Sequence, residues 1–436
     1  MSESAKPAGP VGDEARAQRT IEEVARRSYG KLVAFLAART HHVAAAEDAL
    51  SEAFASALAV WPANGCPENP EGWLLTVARR KGIDAMRRQQ RDESAAADLL
   101  LIAEGLDVAA ASAQIPDQRL ALLFACAHPA IEEGIRAPLM LQAVLGLHAE
   151  AIASAFLISP ATMGQRLVRA KNKIRQACVP FRVPEREELR ERLDTVLDAI
   201  YAAFAEGWSD RAGTDAVRQD LAQEAIFLSR VVVELLPEEP EAMGLLALML
   251  HAEARSGARR NALGEYVPLA EQNVARWDSR MIREAEDLLR RASVFLQVGR
   301  FQLEAALQSA HVHRRLTGQN NWADVVQLYE TLLAISGSPV VAINRAVAIG
   351  ELRGASAGLE ALEEVAADAR VKQYQPYWAA RADLLAKSGA RDEAGEAFRR
   401  AIGLERDPAV RRFLQNRQAA IADSWPARKR NGNLQK

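Results

Sequence analysis

Thr162, Gln165, Arg166, Arg169 and Lys173 fall on one side of a helical wheel between Pro160 and Ala177. Hydroxyl, amide and guanidinium groups in such a row hydrogen-bond base edges in a DNA major groove, and cations nearby suit phosphates. A second set lies between Arg79 and Arg91, where six basic residues and one acid (Asp84) give a local charge of +5. Trp73 precedes it, after a Pro-, Asn- and Gly-rich stretch, Pro62–Pro70. Cations that track phosphates, with an aromatic beside a loop, suit a melted strand whose bases are unstacked. Trp73 equally suits a core position, and the charge run a solvated face. The third set is acidic. Glu47, Asp48, Ser51 and Glu52 gather on one side of Ala44–Trp61, with Leu50, Phe54 and Leu58 on another. Such a face is either solvated or a docking surface for a basic partner helix.

Covalent chemistry finds less support. His251, Glu253, Arg255, Trp277, Asp278, His311 and His313 fall on helical segments without a nucleophile–base pair or a metal-ligand spacing, so no catalytic residue is expected. Trp277 and Asp278 read as a packing and capping pair. The three cysteines, Cys66, Cys126 and Cys178, form no CxxC pair, so neither a disulfide framework nor a metal or other cofactor is expected, and a reducing cytoplasm fits. His128, two residues after Cys126, reads as a hydrogen-bonded structural histidine before a turn at Pro129.

The elements that must position these groups read as helices throughout. Ala, Leu, Glu and Arg dominate, strand patterns are hard to find, and the predicted fold class is all-α. At 436 residues and 49% hydrophobic, the chain can bury a large core spread over two to four domains. The formal charge of −2 means that any nucleic-acid surface is local. The polar, partly acidic first residues are not a signal peptide, and no apolar run is long enough to span a bilayer. Ile21–Thr40 is amphipathic through Val24, Leu32, Val33, Phe35 and Leu36. Further on, Glu150–Phe156 reads as a short helix, Leu157 and Ile158 as a turn, and Ser159 as the cap of a longer helix with Pro160 at its first position. Met163, Leu167, Ala170 and Ile174 form its buried stripe. A helix, a turn and a helix with a cationic outer face make a helix-turn-helix; a helical hairpin with a solvated basic face fits this window as well.

The order of these motifs resembles a known family. AEDALSEAF, then NPEGWLLTVARRKGIDAMRR, then the helix-turn-helix, is similar to the group IV (extracytoplasmic-function) sigma factors of bacterial RNA polymerase. The resemblance implies that Glu47, Asp48, Glu52 and Phe54 dock on the clamp helices of the largest polymerase subunit, with Ser51 standing where that pattern often has Gln. It implies that Asn69, Trp73, Arg79, Arg80, Asp84 and Arg87 open and read the minus-10 element. DQRLALLFACAHPAI followed by GLHAEAIASAFLISPATMGQRLVRAKNKIR looks like region 4 of the subgroup bearing a long C-terminal domain. Cys126-Ala127-His128-Pro129 stands where that subgroup often shows CCHP. This implies minus-35 reading by Thr162, Gln165, Arg166 and Arg169, with Lys171 and Lys173 nearer phosphates.

The domains expected are therefore region 2 at 14–93, a linker at 94–115 with acids that could follow a basic channel, and region 4 at 116–179. A C-terminal helical-repeat domain at 189–422 and a basic, disordered tail at 423–436 complete the chain. From Trp378, the residues Trp378, Ala382, Leu385, Gly389, Ala394, Phe398 and Ala401 match the 34-residue tetratricopeptide unit, with a weaker copy from Ala342. The expected partners are core polymerase, through its clamp helices and flap, promoter DNA, and a protein or peptide on the repeat domain; no membrane is involved. The competing reading is a helix-turn-helix regulator with a ligand-sensing repeat domain and no polymerase docking. An interaction scaffold with incidental basic helices is a third. The charged hinge Phe181–Arg190 separates the halves, and the C-terminal one is expected to regulate in cis.

Overall fold

The structure, a computed structural model, describes residues 10–40, 43–89, 118–155, 158–177, 186–208 and 216–423. The linker expected at 94–115 and the tail beyond 423 lie outside these residues, as do 181–185 of the expected hinge. Among the described residues there are eighteen α-helices, four short 3-10 turns and one isolated bridge, Arg260 to Tyr266, so the fold is all-α as predicted. No described helix is long and apolar enough to cross a membrane. The chain divides into two compact units. Of the described residues, the first holds those up to 208 and 216–231; the second holds 232–423.

The first unit opens with α1 (Pro10–Thr40), α2 (Val43–Asn64) and α3 (Pro70–Gln89). In α1, Leu32, Val33, Phe35 and Leu36 are buried and Val24 is half-buried. The apolar face expected on α2 needs correcting. Leu58 is 55% exposed and Phe54 half-buried, whereas Val43, Ala46, Ala49, Leu50, Ala53, Ala57 and Trp61 are buried. The stripe is mostly alanine because α1 and α3 both pack on α2, and small side chains let backbones approach. The loop expected from Pro62 is also shorter, since α2 continues through Pro62 to Asn64 and ends at Gly65, whose φ of +81° suits a residue without Cβ. Pro62 cannot donate to the carbonyl four residues earlier, that of Leu58, and the helix ends two residues beyond it. Glu71 ties α3 to α1, accepting from Ser28 Oγ and, at 3.5 Å, from Lys31 Nζ.

Next come α4 (Arg119–Cys126), buried along its whole length, and α5 (Glu133–Leu145), which Gly146 ends in the left-handed region at φ +69°. Then follow α6 (Ala149–Ala155) and α7 (Pro160–Gln176). The predicted stripe of α7, Met163, Leu167, Ala170 and Ile174, is buried. α8 (Arg186–Trp208) lays Leu193, Val196, Leu197, Ile200 and Phe204 inside and packs on α4, α5 and α6. Arg192 donates to the Phe124 carbonyl at 3.3 Å. α9 (Ala216–Leu235) adds Glu224, ion-paired with Arg119, and Phe227, whose ring lies 5.1 Å from the Arg119 guanidinium carbon. The boundary expected at 189 thus falls inside the first unit. Helices that sequence alone assigns to the C-terminal domain complete the core around α4 and α5.

The second unit is built from α10 (Pro240–Glu253), α11 (Ser279–Ser293), α12 (Arg300–Thr317), α13 (Trp322–Ser336), α14 (Pro339–Arg353), α15 (Ala355–Ala366), α16 (Gln375–Ser388), α17 (Arg391–Leu404) and α18 (Pro408–Asp423). Successive helices pack in order from α12 to α18. Asp278 caps α11, accepting from the amides of Arg280 and Met281 at 2.8 and 3.0 Å, while Trp277 is buried against Ala254, Ala258, Ile282 and Val312. That is the packing and capping pair predicted. The Glu241 carboxylate does the same for α12 from a distance, accepting from Phe301 N and Gln302 N. Ala382, Leu385, Ala394, Phe398 and Ala401 meet in one cluster between α16 and α17. In the earlier pair, Gly350 and Gly358 stand where α14 and α15 approach so closely that a Cβ on Gly358 would lie 2.8 Å from the Gly350 Cα.

Candidate nucleic-acid interface

α7 carries the cationic row. Ser159 Oγ accepts from Thr162 N at 3.2 Å and shares a hydrogen bond with Thr162 Oγ1 at 2.8 Å, so the predicted cap forms and Pro160 starts the helix. The four-residue buried stripe fixes the helix roll, which leaves Thr162, Gln165, Arg166, Arg169 and Lys173 exposed together. Lys171 is a correction. At ~100° per residue it stands about half a turn round the helix from Thr162. Its ammonium does not face outward with the others but ion-pairs with Glu47 of α2.

The acidic face divides in the same way. Asp48, Ser51 and Glu52 are exposed, and Glu52 reaches Lys81 of α3 at 3.3 Å. The Glu47 side chain is only 13% exposed and that of Lys171 14%. Burial pushes the Glu47 carboxyl above its ordinary value, and the neighbouring Asp48 charge adds to this, against the opposing pull of Lys171. Phe54 is half-buried, its ring stacked on Tyr29 at 6.2 Å. Burial likewise raises the Tyr29 phenol, helped by the Glu47 charge.

The basic helix α3 starts with a cap. Asn69 Oδ1 accepts from Gly72 N at 3.0 Å, and Pro70 occupies the first position. Trp73 packs edge-on against the buried Trp61 at 5.4 Å and is itself half-buried. The core contact predicted for Trp73 is therefore present. Arg80 is exposed and Arg79 half-buried. Asp84 and Arg87 lie on α3, with side chains outside the described residues.

His128 behaves as read from sequence. Its Nδ1 accepts from Ala130 N at 3.1 Å across the turn, and burial lowers its pKa, reinforced by Arg192. Cys126 is fully buried and its thiol is pushed up to about 12. Among the described residues no group of three or more His, Cys, Asp or Glu side chains is placed to hold a metal ion.

The second unit carries an open groove of about 960 Å³ between α11 and α12. Glu286 and Ser309 line it, and Ser309 Oγ donates to Glu286 at 2.6 Å, while the buried His251 Nε2 lies 3.4 Å from the same carboxylate. His251 and then Ser309 hold Glu286 below its ordinary value. The order differs from that of a Ser-His-Asp triad, where the imidazole stands between hydroxyl and carboxylate; here the carboxylate stands between serine and histidine. His311 is lowered to about 4 by burial and by Arg314, whose guanidinium donates to its Nδ1 at 2.8 Å. Arg255, at about 10 through burial, is held by the His251 carbonyl and Gln308. The sequence named His251, Arg255, His311 and His313 but not the groove between the consecutive helices α11 and α12, nor Glu286 and Ser309 within it.

Residues 24–92 match sigma-70 region 2, which spans most of α1, α2 and α3, and residues 192–293 match a family of unknown function, DUF6596, which runs from α8 to α11. An uncharacterized protein of Rhizobium meliloti (strain 1021) is 38% identical over 379 residues, covering 85% of this chain and 88% of that protein. No solved structure matches the chain. The chain belongs to the family of that Rhizobium meliloti protein, and it carries region 2 of a sigma-70 family sigma factor, the part that serves promoter recognition by RNA polymerase.

Proposed function

We propose that the chain is an extracytoplasmic-function sigma factor that directs bacterial core polymerase to specific promoters in the cytoplasm, without covalent chemistry of its own. The observation that carries this reading is the company region 2 keeps. A helix that buries Met163, Leu167, Ala170 and Ile174 presents Thr162, Gln165, Arg166, Arg169 and Lys173 outward in the same compact unit. In this reading α6 and α7 are the helix-turn-helix of region 4, reading the minus-35 element and leaning on the polymerase flap. Asn69, Trp73, Arg79, Arg80, Asp84 and Arg87 capture the minus-10 element as it melts. Glu47, Asp48, Glu52 and Phe54 dock the clamp helices. The second unit, with its tetratricopeptide-like helix pairs, binds a protein or peptide partner and regulates the sigma modules in cis.

The test is titration of the full chain with promoter and scrambled duplexes. A base-reading arginine contributes roughly 1–3 kcal/mol of discrimination, whereas a phosphate contact weakens all sequences alike. Arg166→Ala and Arg169→Ala should each reduce the preference for promoter over scrambled duplex by about tenfold. Unchanged affinity for both duplexes in both variants would overturn the role given to α7.

A further inference from the structure

An acidic helix face suited to a basic partner helix already has one in this structure, and it belongs to the same chain. Glu47 on α2 is ion-paired with Lys171 on α7, both largely withdrawn from solvent. The contact is wider than one pair. Tyr29 of α1 lies against Gly146, where an added Cβ would meet its ring at 3.2 Å. Gly30 of α1 sits so close to the Val144 carbonyl that no side chain fits between α1 and α5 there. Thus Tyr29, Gly30 and Glu47 on one side meet Gly146, Val144 and Lys171 on the other, while the outward row of α7 stays exposed.

We propose that this contact is an autoinhibitory clasp, in which α7 occupies the polymerase-docking carboxylate Glu47 and core polymerase binds only chains whose clasp has opened. The proposal rests on the sigma-factor reading and adds a mode of regulation to it. A largely buried ion pair is well suited to the task, because desolvation offsets much of its Coulomb attraction and the closed form is only modestly favoured. A basic docking surface that needs Glu47 binds the open form alone, so its apparent affinity falls by the fraction of chains that are open. The half-turn position of Lys171 has a purpose on this account: it points the ammonium at α2 without taking a groove-facing place from Arg166 or Arg169.

The test uses the full-length chain with two readouts, only one of which depends on polymerase. A zero-length carbodiimide joins carboxylates to amines in ion pairs, so the free wild-type chain should yield a Glu47–Lys171 crosslink by mass spectrometry. Gly30→Ala wedges α1 from α5 without touching a residue assigned to polymerase or DNA, and alanine favours the helix over glycine. It should abolish most of that crosslink and tighten binding of core polymerase about tenfold, as expected for a clasp closed in roughly nine chains of ten. Should Gly30→Ala lose helicity by circular dichroism, Lys171→Gln serves in its place, read by core binding alone, with the same gain expected. Absence of the crosslink in the wild-type chain overturns the clasp. Loss of the crosslink in folded Gly30→Ala without tighter core binding overturns its inhibitory role and leaves the sigma reading standing. A crosslink in a chain that binds no core polymerase in any variant overturns the proposal through the reading beneath it.

Discussion

Changing Asp48 and Glu52 to lysine together is expected to weaken binding of core polymerase by about a hundredfold. Close charge pairs across interfaces couple by about 1.5–7 kcal/mol, and like charges facing each other add repulsion, so a loss of about 3 kcal/mol is at the modest end of the range. These two positions separate docking from folding. Both side chains are exposed, and the Glu52–Lys81 pair, with side chains 58% and 42% exposed, contributes less than about 1 kcal/mol to stability. Sequence alone would have chosen Glu47 with Asp48 and expected helicity to survive. The structure argues against that choice, because a lysine at 47 would stand against Lys171 in a site with little water. Equilibrium binding to core polymerase, together with circular dichroism of the double variant, checks the expectation; full binding by a folded double variant would remove the docking role from this face.

The second large effect concerns where the chain is cut. Sequence places the end of the DNA-binding half near Cys178, and a chain ending there looks like a natural test of the C-terminal half. In the structure that cut removes α8 and α9. Leu193, Val196, Leu197, Ile200 and Phe204 would no longer cover α4 and α5, and burial of each contributes roughly 1.5–3 kcal/mol. The sum rivals the whole stability of an ordinary domain, about 5–15 kcal/mol. A chain ending at Cys178 should therefore lose its cooperative urea transition, followed by tryptophan fluorescence from Trp61 and Trp73. One ending at Leu235 should keep it with a similar midpoint. Equal midpoints for the two truncations would show that α8 is dispensable to the first unit. Only the longer truncation is a clean test of regulation in cis: its transcription should differ from that of the full chain while duplex binding survives.

What could be read from the sequence follows the range of the forces involved. The roll of α7 was legible because Met163, Leu167, Ala170 and Ile174 repeat at helical spacing, and its start because Ser159 and Pro160 are local signals. The Trp277–Asp278 pair was legible for the same reason. The stripe of α2 was misread because its buried residues are mostly alanines, which look neutral in sequence, while the larger Leu58 is left exposed. The loop at Pro62 was overestimated because proline reads as a helix stop, whereas α2 carries it and ends two residues later at Asn64. The pairing of Glu47 with Lys171, 124 residues apart, and the covering of α4 by α8 are tertiary facts that no local pattern encodes. One hint was available: Lys171 lies on the wrong side of the wheel for the groove-facing row, so an inward partner could have been sought.

The central claim is tested most directly by run-off transcription from a set of candidate promoters with purified core polymerase and the full-length chain. The account predicts transcripts with a defined start that appear only when the chain is added, and that vanish with the Asp48→Lys, Glu52→Lys double variant although it still binds duplex DNA. A chain that binds promoter duplex selectively, yet yields no transcript above core polymerase alone and does not co-purify with it, would contradict the account and favour a repressor-like regulator instead.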